Sequence, residues 1–202
     1  MTFSPHCPST TYDFTQKDPG RKSAEHSLSL CKGGIQGYGS QGMRNSSIVL
    51  SELLTPATIN LNLKGQERDG VLAELVDQVP ELADNPEGRQ TLLKALHDRE
   101  KLHSTGIGDG VALPHARNAL VGLVHKPIIV FGRHATGIPY DAVDRVPAQL
   151  FFLLIAPTVT EHLAVLARIS RVLRHPRVRQ GLLTAANPAA VVQVIKQAEA
   201  AL

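Results

Sequence analysis

Strand-like and helix-like apolar patterns alternate along residues 46–202, which limits this chain to a sheet covered by helices. Residues 48–54 suit one short helical turn that ends ahead of Pro56. Ile59, Leu61 and Leu63 alternate with polar residues, the period of a strand. Val71, Leu72, Leu75, Val76 and Val79 recur at helical spacing up to Pro80. Asn85-Pro86-Glu87 supplies a cap, a first-turn proline and a first-turn acid, and opens a helix through Leu92, Leu93 and Leu96 to about Leu102. A short strand at 111–113 follows, and the apolar runs 127–131 and 150–156 read as central strands. Thr160 is the expected cap of a helix over 161–173, with Leu163, Leu166, Ile169, Val172 and Leu173 as its apolar face. Asn187-Pro188 opens a last helix through Val191, Val192 and Ile195. The mixed order predicts an α/β fold with helices on both faces of the sheet.

Within this frame one segment carries chemistry. Residues 99–117 read REKLHSTGIGDGVALPHAR. Gly106, Gly108 and Gly110 let the backbone turn tightly and come close to a ligand. Their N–H groups, extended by the hydroxyls of Ser104 and Thr105, can form an anion-binding concavity. His115 stands directly behind Pro114, with Arg99 and Arg117 on either side of the segment. A histidine held among such donors can act as a nucleophile toward a phosphoryl group. The alternative is a histidine that merely packs beneath a turn.

This segment strongly resembles the active site of the phosphotransferase-system enzyme IIA domains of the fructose/mannitol/nitrogen-regulatory type. The resemblance covers roughly residues 46–200: GIPYDAVDRVPAQLFFLLIAP (137–157) is similar to a family loop and its following strand, and EHLAVLARISRVL (161–173) to the helix bearing the family's second histidine. It implies a small mixed sheet in a three-layer α/β/α sandwich. It further implies that His115 receives a phosphoryl group through Nε2 from a small histidine phosphocarrier protein, with Nδ1 held by a hydrogen bond. Arg99 corresponds to the family arginine, and His162 to the histidine that lies next to the acceptor. Two positions depart from the usual pattern: His103 replaces a glycine and Tyr140 a phenylalanine.

Each remaining residue has a plainer alternative. Arg99 is a cationic clamp for the phosphoryl group, since guanidinium donors are planar and bidentate; it also suits the C-terminal dipole of a helix. His162 sits in a first helical turn, where anions are favoured; the alternative is a solvated histidine. Asp141 and Asp144 can be read as an acid pair, but the resemblance makes them structural loop residues. The arginines from Arg168 through Arg171, Arg174, Arg177 and Arg179 read as a solvated helix end, with contact to a regulated partner as the alternative.

Several classes are set aside. GIGDG running into an extended VALPH is neither GxGxxG opening a helix nor a P-loop, so no nucleotide cofactor is expected. No HExxH or CxxC spacing points to a metal. No apolar run is long enough for a membrane span, so no membrane insertion is expected. The net charge of +3 is too small and scattered for a nucleic-acid reading. Both cysteines, Cys7 and Cys31, precede the patterned region, which is compatible with a cytoplasmic protein. A histidine-dependent hydrolase lacks a recognisable nucleophile–base–acid set.

Residues 1–45 are expected to be either a disordered tail or upstream translation ahead of a true start at Met43, and 46–202 to be the IIA domain. The expected activity is a stand-alone histidine phosphocarrier whose docking face is mainly apolar with a polar rim. The STGIGDGVALPH wording is closer to the nitrogen-regulatory branch, in which the phosphorylation state controls a target protein. The alternatives are a sugar-transport component that passes the group to a IIB domain, and an interaction module without phosphotransfer.

Overall fold

The computed structural model describes residues 48–116 and 122–202. The expectations for residues 1–45 and for Arg117 lie outside the described residues. The chain opens with helix α1 (Leu50–Leu53), a 3₁₀ turn at Pro56–Thr58 and strand β1 (Ile59–Leu63). Helix α2 (Arg68–Asp77), a second 3₁₀ turn and helix α3 (Pro86–Leu102) follow. Asn85 caps α3 by accepting from the Gly88 N–H at 2.8 Å, as its sequence predicts.

Strands β2 (Gly106–Gly108), β3 (Val111–Ala112), β4 (Ile128–Ile138) and β5 (Ala148–Ile155) then complete a five-stranded sheet in the order β1-β4-β5-β3-β2. It is mixed: β1 with β4 and β3 with β5 are parallel, while β4 with β5 and β2 with β3 are antiparallel. Helices α4 (Val159–Leu173), α5 (Pro176–Thr184) and α6 (Pro188–Ala200) close the chain.

Alternation along the strands divides the core between the two faces. Val130, Phe151, Leu153 and Ile155 pack with Val71, Leu72, Leu75, Leu92 and Leu96 of α2 and α3. Ile129, Phe131, Phe152 and Leu154 pack with Leu50, Val165, Ile169, Val172, Leu182 and Ile195 of the other helices. Each such side chain contributes about 1.5–3 kcal/mol by leaving water. Among the described residues no helix is long and apolar enough to cross a membrane.

Four sequence expectations change. The strand read at 127–131 begins at Ile128 and runs on to Ile138, through the polar residues Arg133, His134 and Thr136. Helix α4 begins at Val159, and its cap is Thr158 rather than Thr160; the Thr158 hydroxyl accepts from the Glu161 N–H at 3.2 Å. Leu163 is 59% exposed and Val165 fully buried, so the buried stripe of α4 is turned from the expected one. The arginine-rich stretch is also not one solvated helix end. Helix α5 starts at Pro176, and Arg179 turns back to donate to the carbonyls of Leu173 (2.7 Å) and Arg174 (3.1 Å), the last groups of α4.

Candidate functional site

His115 lies just beyond β3, where the chain still runs beside β5: it bridges Leu154 in parallel register, and the Leu154 N–H donates to the Pro114 carbonyl at 2.9 Å. The ring is half-buried, and its Nδ1 stands 2.7 Å from the Leu113 carbonyl. A carbonyl only accepts, so the proton is on Nδ1 and Nε2 keeps its lone pair. Burial, followed by the positive charge of Arg99, pushes the His115 pKa below its ordinary value; the Leu113 hydrogen bond and the charge of Glu100 act the other way. The imidazole is therefore neutral and nucleophilic at pH 7.

His162 reaches the same place from the first turn of α4. It is 8% exposed, and its ring centroid lies 5.3 Å from that of His115, with the planes tilted by 51°. Burial and the neighbouring His115 lower its pKa as well, so two neutral rings face each other. Arg99, in the last turn of α3, donates from Nη1 to the His103 carbonyl at 2.6 Å. It thus closes the end of its helix while its charge acts on His115. The helix-end reading of this residue is thus observed.

The Ser104–Gly108 segment is joined to the strand leading into His115, the Thr105 carbonyl accepting the Leu113 N–H at 3.0 Å, and its hydroxyls are engaged within the protein. The Ser104 hydroxyl donates to the Tyr140 carbonyl and accepts from the Gly106 N–H at 3.0 Å. The Thr105 hydroxyl donates to Glu100. Both hydroxyl protons are thus engaged by partners outside the loop, the Tyr140 carbonyl beyond β4 and the Glu100 side chain of α3. Gly106 pairs with Ala112 across the β2–β3 hairpin. Gly108 sits at φ +92°, and a Cβ there would come within 2.9 Å of Asp144 Oδ2, so this position requires glycine.

The acid pair separates as the resemblance implied. Asp144 accepts from the N–H groups of Asp109 (2.6 Å) and Val146 (3.1 Å), and these bonds hold its carboxyl below the usual range. Asp141 pairs with Arg68. Sequence reasoning missed Glu100, which is 6% exposed and accepts from Thr105 and Tyr140. Its one signal was a glutamate directly after Arg99, which looks like helix surface charge. The partner of the Tyr140 hydroxyl, Glu100, is likewise out of reach of any local pattern, 40 residues away.

The chain matches a known family. The family model described as "Phosphoenolpyruvate-dependent sugar phosphotransferase system, EIIA 2" matches residues 52–198. The chain is a member of that family. It is 38% identical over 150 residues to the fructose-specific EIIABC component of Bacillus subtilis, covering 73% of this chain but only 23% of that longer protein. It is 34% identical over 151 residues to a nitrogen regulatory protein of Pseudomonas aeruginosa, covering 73% of this chain and 95% of that one. The crystal structure of the nitrogen regulatory protein IIA-Ntr from Neisseria meningitidis superposes with a TM-score of 0.65 at 28% identity, over 73% of this chain and 99% of that one. The EIIA 2 chain therefore has the fold that its sequence implied, and its relatives include both sugar-system and nitrogen-regulatory proteins.

Proposed function

We propose that this EIIA 2 protein accepts a phosphoryl group on Nε2 of His115 from a histidine phosphocarrier protein, in the cytoplasm, and serves a nitrogen-regulatory role. The observation that carries the reading is the bond from Nδ1 to the Leu113 carbonyl, which leaves Nε2 as the free nucleophile. The Nε2 lone pair attacks phosphorus, and the N–P bond of the donor breaks with its electron pair returning to the donor imidazole. Each ring keeps the proton on its other nitrogen, so the exchange balances without a general base. Arg99 supplies positive charge for the arriving phosphoryl oxygens, and the neutral His162 ring lines the acceptor. The role of Ser104, Thr105, Gly106 and Gly108 is to fix the loop beside the acceptor. The gain of about 1.5–2 negative charges would change what this face can bind.

The regulatory role is supported by the Pseudomonas relative, which the match spans almost end to end. The second reading, transfer to a IIB domain during sugar uptake, is favoured by the 38% identity to the Bacillus fructose-specific component. The test is incubation with phosphoenolpyruvate, enzyme I and the phosphocarrier protein, following intact mass beside a His115→Ala variant. An acid-labile, alkali-stable gain of one phosphoryl group, absent from the variant, is expected. No gain with the carrier itself phosphorylated would refute the reading. Discharge by an added fructose-type IIB domain would select the sugar role.

A further inference from the structure

A carboxylate as deeply buried as Glu100 costs several kcal/mol unless its oxygens are satisfied. Here they accept three bonds. The Thr105 N–H donates to Oε2 at 3.0 Å, the Thr105 hydroxyl donates to Oε1, and the Tyr140 hydroxyl donates to Oε1 at 3.0 Å. Glu100 stands near the C-terminal end of α3, Thr105 just ahead of β2, and Tyr140 just beyond β4. One side chain therefore ties a helix to two separate segments that flank strands of the sheet.

From Thr105 the connection runs on to the acceptor. The Thr105 carbonyl takes the Leu113 N–H at 3.0 Å, and the Leu113 carbonyl takes the proton of His115 Nδ1 at 2.7 Å. The group that sets the His115 tautomer is thus held by a residue that Glu100 holds. Glu100 also opposes Arg99 electrostatically at His115, favouring a proton that burial and Arg99 disfavour.

Tyr140 adds a hydroxyl to this network. Its ring packs edge-on to Phe151 at 5.6 Å, and the Arg68 guanidinium lies 5.0 Å from its centroid. Burial and the charge of Glu100 push the phenol pKa far above its ordinary value, so the hydroxyl stays protonated and donates. A phenylalanine would keep the packing and leave the Glu100 carboxylate one donor short.

We propose that Glu100 is a positioning residue for the His115 acceptor, holding the imidazole in its Nδ1–H form and orientation through Thr105 and Leu113, with the Tyr140 hydroxyl as an added lock in this chain. The purpose of this arrangement rests on the phosphoryl-acceptor reading; its geometry does not.

The test compares wild type, Glu100→Gln and Tyr140→Phe by imidazole ¹H–¹⁵N spectra and by phosphoryl uptake at varied carrier concentration. Wild type should show His115 as the Nδ1–H tautomer. Glu100→Gln should populate both tautomers and lower the maximal rate by up to about 100-fold, with the KM for the carrier unchanged. Tyr140→Phe should move both readouts the same way by less. Wild-type spectra and rates in both variants would overturn the proposal, as would a rate loss with an unchanged ring spectrum. If Glu100→Gln fails to fold, Tyr140→Phe decides alone, because it keeps the ring. A tautomer lock present in wild type and lost in the variants, with no phosphoryl uptake by any protein, would uphold the lock and overturn the phosphocarrier reading alone.

Discussion

His115, Arg99 and Gly108 each act through one specific property. For His115 it is an unprotonated Nε2. Its pKa is depressed, so the nucleophilic form persists below pH 6.5, where an ordinary histidine is half protonated. Phosphoryl uptake should therefore stay level from pH 8 to below 6.5, and fall only as the ring finally protonates; uptake rates measured beside an NMR titration of His115 check this. For Arg99 the property is a forked donor rather than charge alone. Arg99→Lys should lower the maximal uptake rate by about tenfold, while its fold, checked by circular dichroism, is retained. For Gly108 the property is its left-handed backbone, closed to larger residues by Asp144. Gly108→Ala should lose about 1–3 kcal/mol in denaturant unfolding. Nothing local to the glycine reveals this, because Asp144 comes from the loop between β4 and β5.

Helix ends set the geometry one level up. The Thr158 carbonyl accepts the His162 N–H at 3.0 Å, and its hydroxyl exchanges bonds with Glu161. The cap of α4 therefore also fixes the second histidine. Thr158→Ala should cost about 1 kcal/mol in thermal unfolding. Thr160→Ala should cost much less, although the two threonines stand two residues apart. At the opposite end of the chain, Glu199 accepts the N–H groups of Leu50 (2.7 Å) and Ser51 (2.9 Å) and pairs with Arg168 at 2.8 Å. One carboxylate thus binds α1, α4 and α6 together. Glu199→Ala should lose about 2 kcal/mol in denaturant unfolding, since charged hydrogen bonds are broken at a largely buried site. Both caps show why a favourable residue type at a boundary does not by itself locate the boundary: the backbone must also leave the helix there.

For the molecule as a whole, these groups make stability fall on acidification in two successive pH ranges. His115 and His162 both bind protons less readily when folded. As pH falls below 6.5 the unfolded chain protonates first, so stability is complete above that pH and declines below it. The Glu199 carboxyl is held below its usual 4.5, so its contribution is present above that value and is lost as pH falls through the folded pKa. Much of the fold was legible beforehand. The alternation of elements, the Asn85 cap and the candidacy of His115 all rest on side-chain period and backbone preference within a few neighbouring residues. The sheet order, the far half of β4 and helix α5 were not legible, because polar residues there are satisfied by distant partners, as Arg179 is by the end of α4 and by Asp109 at 3.0 Å. The sequence by itself determined most of the elements and put His115 forward as the candidate nucleophile. Only the tertiary structure decided that Glu100 and Tyr140, 40 residues apart, share a buried hydrogen bond, and that His162 faces His115. Periodicity and capping are local, whereas the burial of a charge and the meeting of two rings depend on where the chain crosses itself.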